Sequence, residues 1–87
     1  MASIEQVKAA LIQATEQGDV VVSQIRASLD QTEQALVRLR AVAAGSGHPA
    51  ITEAIARAEQ SKQRLVEAMT LIQGSSEATR NYMSVLG

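Results

Sequence analysis

The amino-acid sequence predicts an all-α fold: an antiparallel two-helix hairpin that dimerises into a four-helix bundle. Amphipathic helical periodicity fills almost all of the 87 residues, and its strongest interruption, the segment 45–50, lies near the midpoint. Apolar residues make up 46% of the chain, yet Tyr82 is the single aromatic residue. A lone hairpin of this composition buries little apolar surface, so we expect a second hairpin to complete the core.

The first helix is predicted over residues 4–44. Ser3 and Gln6 match a capping box, which places the start at Ile4. Apolar or small residues then recur every three or four positions, with one extra step of four between Ile25 and Leu29. The residues predicted to face the second helix are Ile4, Val7, Leu11, Ala14, Gly18, Val21, Ile25, Leu29, Thr32, Leu36, Leu39 and Ala43.

The turn is predicted over residues 45–49, in a single domain that spans 1–87. Gly45 suits the left-handed residue that closes a helix, Gly47 adds freedom to the turn, and Pro49 suits the first turn of the next helix. A turn this short forces the two helices to lie antiparallel. We expect His48 either to cap the second helix or to be exposed in the turn.

The second helix is predicted over residues 50–86. An antiparallel register places Leu39 opposite Ile55, and Gly18 beside the segment 74–76. Three pairs have spacings that favour ion pairs on the outer surface: Glu53–Arg57, Glu59–Lys62 and Glu77–Arg80. The residues predicted to face the first helix are Ile51, Ile55, Ala58, Lys62, Leu65, Met69, Ile72, Ser76, Thr79, Met83 and Leu86.

A second apolar stripe runs along the far half of the second helix, one step around from the inward-facing row. It indicates either a widened hairpin core or a protein-protein interface at the end opposite the turn, with Tyr82 as its anchor. Ile12 and Val20 are further apolar residues of the first helix in the same half. The interface candidates are therefore Leu71, Ala78, Tyr82, Val85, Ile12 and Val20.

Two glycines interrupt otherwise good helix formers. Gly18 and Gly74 fall at nearly the same level of the hairpin, and each costs about 1 kcal/mol of helix propensity relative to Ala. They are candidate hinge residues, or they mark a close backbone approach where a partner docks. The alternative is two glycines that adequate helices tolerate.

Several function classes are disfavoured. The chain has no cysteine and one histidine, and it shows no phosphate-binding glycine loop or nucleophile elbow, so we expect no catalytic, cofactor-binding or metal site. Eight basic and nine acidic residues are interleaved, which disfavours nucleic-acid binding. No apolar run is long enough for membrane insertion, and the first residues do not resemble a cleavable signal peptide.

In length, central turn, heptads and Ala/Gln/Ser-rich composition, nearly the whole chain resembles the WXG100/ESX superfamily of helical hairpins. Its opening residues, 1–7, are similar to N-terminal hairpin regions of larger actinobacterial secreted toxins. The superfamily's Trp-x-Gly turn signature is absent, since the chain has no Trp. Its tail signal is absent as well, because Leu86 stands four residues after Tyr82 where an acid is expected. Only a turn glycine, Gly45 or Gly47, corresponds to the family pattern.

The resemblance implies a homodimer or a heterodimer with a similar hairpin, associated with type VII secretion machinery or with an effector domain. It also implies a cytoplasmic protein that is exported without a cleavable signal peptide. The alternative is a cytoplasmic structural oligomerisation or scaffold module with no secretion role. A DNA-binding or toxin-neutralising regulator is the less favoured third hypothesis.

Overall fold

The computed structural model describes residues 2–87, which form two helices, α1 (Ile4–Gly45) and α2 (Pro49–Leu86). The helices pack antiparallel in a body measuring 63 × 19 × 15 Å. At a rise of about 1.5 Å per residue, the 42 residues of α1 account for the whole long dimension. The predicted all-α hairpin is therefore confirmed, and no residue between 2 and 87 lies in a strand.

The start of α1 is fixed by the capping box that the sequence predicts. The backbone N–H of Gln6 donates to Ser3 Oγ at 3.1 Å, and the backbone N–H of Ser3 donates to Gln6 Oε1 at 3.0 Å. Two of the donors that a helix start leaves without intrahelical acceptors are satisfied by this exchange. Helix α1 consequently begins at Ile4, as expected.

The turn is shorter than predicted. Helix α1 includes Gly45 and α2 already includes Pro49, so only residues 46–48 connect them. The expectation that Gly45 is left-handed is wrong: within residues 2–87 only Gly87 has a positive φ. The residue that caps α1 is instead Ser46, which is extended (φ −150°). Its backbone N–H donates to the carbonyl of Ala43 at 3.3 Å. An extended residue closes the helix without the conformation that favours glycine.

The start of α2 agrees with the sequence. His48 is the N-cap residue, and its Nδ1 accepts a hydrogen bond from the backbone N–H of Ala50 at 3.1 Å. Pro49 occupies the first helical position, where a missing N–H costs nothing. The lone histidine therefore has a local role as the cap of α2.

The face of α2 that packs on α1 is the predicted one. Every residue expected to face inward is at least partly buried, from Ile51 to Leu86. The register is also confirmed at Gly18, because a Cβ built there would lie 2.7 Å from Ser76 Oγ and 3.6 Å from Ile72 Cγ2. The same register places Leu36, the one fully buried large side chain within residues 2–87, opposite Ala58.

The face of α1 differs from the prediction in its first half. Thr15 and Val22 are buried, whereas the predicted Ala14 and Val21 are exposed. The inward-facing residues of α1 therefore follow one uninterrupted heptad. With Val22 in place of Val21, the step of four from Ile25 to Leu29 belongs to the regular alternation and is not an extra one. The polar side chain of Thr15 is tolerated because its hydroxyl donates to the carbonyl of Ile12 at 2.8 Å. The resulting a and d positions are Ile4, Lys8, Leu11, Thr15, Gly18, Val22, Ile25, Leu29, Thr32, Leu36, Leu39 and Ala43.

Candidate interaction surface

One long side of the hairpin, which we call the charged flank, is crossed by ion pairs between the helices. It contains the e positions of both heptads, which lie side by side in an antiparallel pair. Its ion pairs join Arg40 to Glu59 at 3.3 Å, Lys62 to Glu33 at 2.7 Å and Arg80 to Asp19 at 3.6 Å. Three ion pairs therefore connect the two helices on this side.

Two ion pairs predicted within α2, Glu59–Lys62 and Glu77–Arg80, are replaced by ion pairs between the helices. Glu59 and Lys62, expected to pair along α2, instead bond Arg40 and Glu33 of α1. Arg80 bonds Asp19 across the hairpin rather than Glu77. The antiparallel register brings opposite charges into reach at the e positions, a tertiary effect that spacing within one helix does not reveal. The predicted pair of Glu53 with Arg57 does form, at 2.8 Å.

Lys62 lies at a core position, and its side chain reaches to the charged flank. Its Nζ donates to Glu33 Oε2, and this hydrogen bond is the main reason why the pKa of the Glu33 carboxyl lies below its usual value. The positive charges of Lys62 and Arg40 add to the effect. Lys62 is therefore more than a surface residue, because it connects α2 to Glu33 of α1.

The opposite long side, which we call the uncharged flank, carries no ionisable carboxylate, ammonium or guanidinium group. It contains the g positions of both helices, which also lie side by side. A row of small and aliphatic side chains results, in contrast to the ion pairs opposite. Its residues are Val7, Ala14, Val21, Ser28, Ala35 and Val42 of α1, and Ala54, Ser61, Ala68, Ser75 and Tyr82 of α2.

Next to the uncharged flank, the c positions of α2 change character halfway along the helix. Near the turn they are Arg57 and Arg64, each paired with a glutamate of its own helix. Beyond the middle they are Leu71, Ala78 and Val85. Leu71 is 75% exposed and Val85 80% exposed, values that are unusual for large apolar side chains.

Together with the neighbouring Tyr82, these residues form the distal patch, defined as Leu71, Ala78, Tyr82 and Val85. Tyr82 is 52% exposed, and all four side chains lie on one side of α2. The structure thus keeps together the four interface candidates that the sequence predicts on the second helix.

The two candidates on α1 do not join them. Ile12 occupies an e position, on the charged flank, and Val20 occupies an f position on the back of α1. Both are exposed, Val20 by 56%, but neither shares a surface with Tyr82. The residues of α1 that do lie beside the distal patch are Val7, Ala14 and Val21. Sequence periodicity misses them because it assigns them to the hairpin core; the uninterrupted heptad through Val22 is the signal that identifies them.

The two candidate hinge glycines differ in surroundings. Gly18 lies against Ser76, and an added Cβ would approach Ser76 Oγ to 2.7 Å, closer than real Cβ atoms come. Gly74 has nothing within 4 Å of the equivalent position and faces solvent. Both helices continue through their glycines, so Gly18 marks a close helix approach, and hinge motion stays a prediction.

Within residues 2–87, neither a pocket nor a cluster of three or more possible metal ligands is present. Neither helix in this range combines the length and the apolar character needed to cross a membrane. Comparison with protein families, curated proteins and solved structures gave no match. The surface features that remain are the charged flank, with its ion pairs between the helices, and the uncharged flank with its distal patch.

Proposed function

We propose that this chain is a non-enzymatic interaction module that pairs with a second helical hairpin, either another copy or a related chain, to form a four-helix bundle. The observation that carries the proposal is the distal patch: Leu71, Tyr82 and Val85 are 75%, 52% and 80% exposed beside a flank with no charge. Exposed apolar residues that are contiguous along a helix favour helix-to-helix docking.

The weakness of the internal core supports the same conclusion. Among residues 2–87 the buried apolar side chains are Val22, Ile25 and Leu36. Burial of apolar surface stabilises a fold by roughly 25 cal/mol per Å², so a two-helix hairpin gains little from its own contacts. A second hairpin on the uncharged flank adds burial where the sequence already provides apolar side chains.

The proposal is tested by the mass of the chain in solution. Sedimentation equilibrium should give about twice the 9.2 kDa of one chain. Tyr82→Asp should shift the mass toward one chain at micromolar concentrations with helical circular dichroism retained, because a desolvated carboxylate opposes association.

The matched control is Val20→Asp, in the same half of the molecule and equally exposed but on the back of α1. It should leave the mass unchanged. If Tyr82→Asp sediments like the unmodified chain, the distal patch is not the interface.

For biological role, we propose that the chain is associated with a type VII-type secretion system or is the N-terminal region of a longer secreted effector. What supports this version is the resemblance to the WXG100/ESX superfamily in length, central turn, heptads and composition. Comparing culture supernatants of the native host with and without its type VII ATPase tests it. Retention of the chain in the cells of both strains would favour the cytoplasmic scaffold alternative.

A further inference from the structure

We infer that the partner on the distal patch is a second copy of this chain, antiparallel to the first, with the two distal halves overlapping and the two turns pointing away from each other. The inference rests on the proposed function and specifies its partner and geometry. The contact would be centred on Ala78, where a twofold axis relates the copies. Helix α2 would then pack on α2 of the second copy, and α1 on α1.

The positions of the arginines set the direction. Arg38, Arg57 and Arg64 occupy the c positions beside the uncharged flank, and all lie in the half near the turn. No acidic residue occupies a c or g position of either helix. A parallel second copy would therefore bring the arginine-bearing halves of the two copies together, and the contact would desolvate arginines whose glutamate partners lie on their own helix. An antiparallel copy separates the two groups of arginines.

The extent of the overlap follows from the same residues. If antiparallel copies overlapped along their whole length, the axis would lie near Ala68 and Leu71 would face Arg64 of the second copy. The guanidinium groups of Arg57 and Arg64 would lose water together with their partners Glu53 and Glu67. Desolvating such ion pairs is unfavourable unless new partners replace the water. Overlap of the distal halves alone leaves these pairs in solvent.

The distal patch is also self-complementary about Ala78. Leu71 and Val85 lie seven residues before and after it, on the same side of α2. A twofold axis at Ala78 places Leu71 of one copy against Val85 of the other, and the reverse contact follows from symmetry. The small alanine at the axis lets the two α2 helices approach closely, while the large side chains interlock on either side.

The area is adequate for a stable dimer. A standard interface buries about 800 Å² on each partner, and the accessible surface of this chain is 6323 Å². One of the four long sides over half the length is roughly one eighth of that surface, which equals the standard requirement. The overlap therefore needs no contact beyond the distal half.

Single cysteines test the geometry cleanly, because the chain has none of its own. A disulfide requires Cα atoms within about 7 Å, so a residue on the twofold axis bonds its own counterpart. Under mild oxidation Ala78→Cys should form the covalent dimer at least about tenfold faster than Ser61→Cys, since thiols held together have a high effective concentration. Ser61 is the matched control on the uncharged flank of the turn half.

Each other result identifies a different arrangement. Fastest bonding for Ala68→Cys would show complete antiparallel overlap. A chain that sediments as a dimer while Ala78→Cys bonds no faster than Ser61→Cys would exclude a twofold axis at Ala78. Either result overturns the inference and leaves the proposed function standing. A monomeric unmodified chain removes the second copy altogether, and pairing with a related hairpin is then the part of the proposed function that remains.

Discussion

The two halves of the hairpin have the same helices and the same register but differ in the outer positions of α2 and in several inward-facing ones. In the half near the turn, inward-facing positions are mostly large and aliphatic, as at Leu29, Leu36 and Leu65, while the neighbouring c positions carry arginines. In the distal half, inward-facing positions include the small or polar Thr15, Gly18, Ser76 and Thr79, while the outer positions carry the distal patch.

This difference separates two tasks within one short chain. The half near the turn contains Leu36, the one fully buried large side chain within residues 2–87, and carries arginines at the c positions of α2. The distal half contributes less to the hairpin and exposes the apolar side chains that a partner can cover. The proposed association therefore falls at the end opposite the turn, and the fully buried Leu36 lies in the half near the turn.

The largest expected effect on the free energy of unfolding comes from a substitution in the half near the turn. Leu36 is fully buried, so Leu36→Ala removes apolar surface from the interior and leaves a cavity. We expect the free energy of unfolding to fall by about 3 kcal/mol, measured by urea denaturation at fixed protein concentration.

Thr15→Ala is the matched control at the equivalent heptad position of the distal half. Its hydroxyl already bonds the carbonyl of Ile12, and alanine favours the helix, so the change in unfolding free energy should stay under about 1 kcal/mol. Equal losses in the two variants would contradict the division between the halves.

A smaller effect distinguishes the two glycines of the distal half. Gly74→Ala should stabilise the protein by about 1 kcal/mol, because the site is helical, exposed and open. Gly18→Ala should gain less or lose stability, because the new methyl group meets Ser76 Oγ.

The double variant Gly18→Ala, Ser76→Ala isolates the cause. If the contact with the serine hydroxyl limits the single variant, removing that hydroxyl should restore the gain expected for an open helical site. A Gly18→Ala variant as stable as Gly74→Ala would show that the helices separate easily at this level. Thermal unfolding at one protein concentration is a sufficient measurement.

The smallest effect concerns the charged flank. Because the pKa of Glu33 is lowered in the folded state, its contribution to stability is present above the ordinary carboxyl pKa and is lost as pH falls through the lowered value. Carboxyl NMR titration should show the Glu33 pKa rising toward its ordinary value in Lys62→Met. An unchanged pKa in that variant would show that Lys62 does not hold the carboxylate.

Most of the fold follows from local sequence rules. The capping box at Ser3, the cap at His48 and the proline at the first position of α2 are local features, and each is correctly predicted. The antiparallel register follows from the short turn, and the contact of Gly18 with Ser76 confirms it. The end of α1 is less well predicted, because an extended serine closes it where glycine suggests a left-handed residue.

The surface is predicted in part, and the reason is the adjacency of Val21 and Val22. Either valine continues an apolar row along α1, so the sequence favours the row through Ala14 over one that buries Thr15. The structure selects Val22 and Thr15, which moves Val7, Ala14 and Val21 to the uncharged flank. The exposed stripe on α2 is predicted correctly because no competing apolar row exists there.

The sequence by itself determined that this chain forms two long antiparallel helices, where the first begins, and which residues of the second helix are apolar and face outward. Only the tertiary structure decided which side of the first helix is buried and which charges meet across the hairpin. The physical reason is that caps, turns and propensities act over a few neighbouring residues. The orientation of a helix about its own axis instead depends on how well all its side chains pack against the other helix.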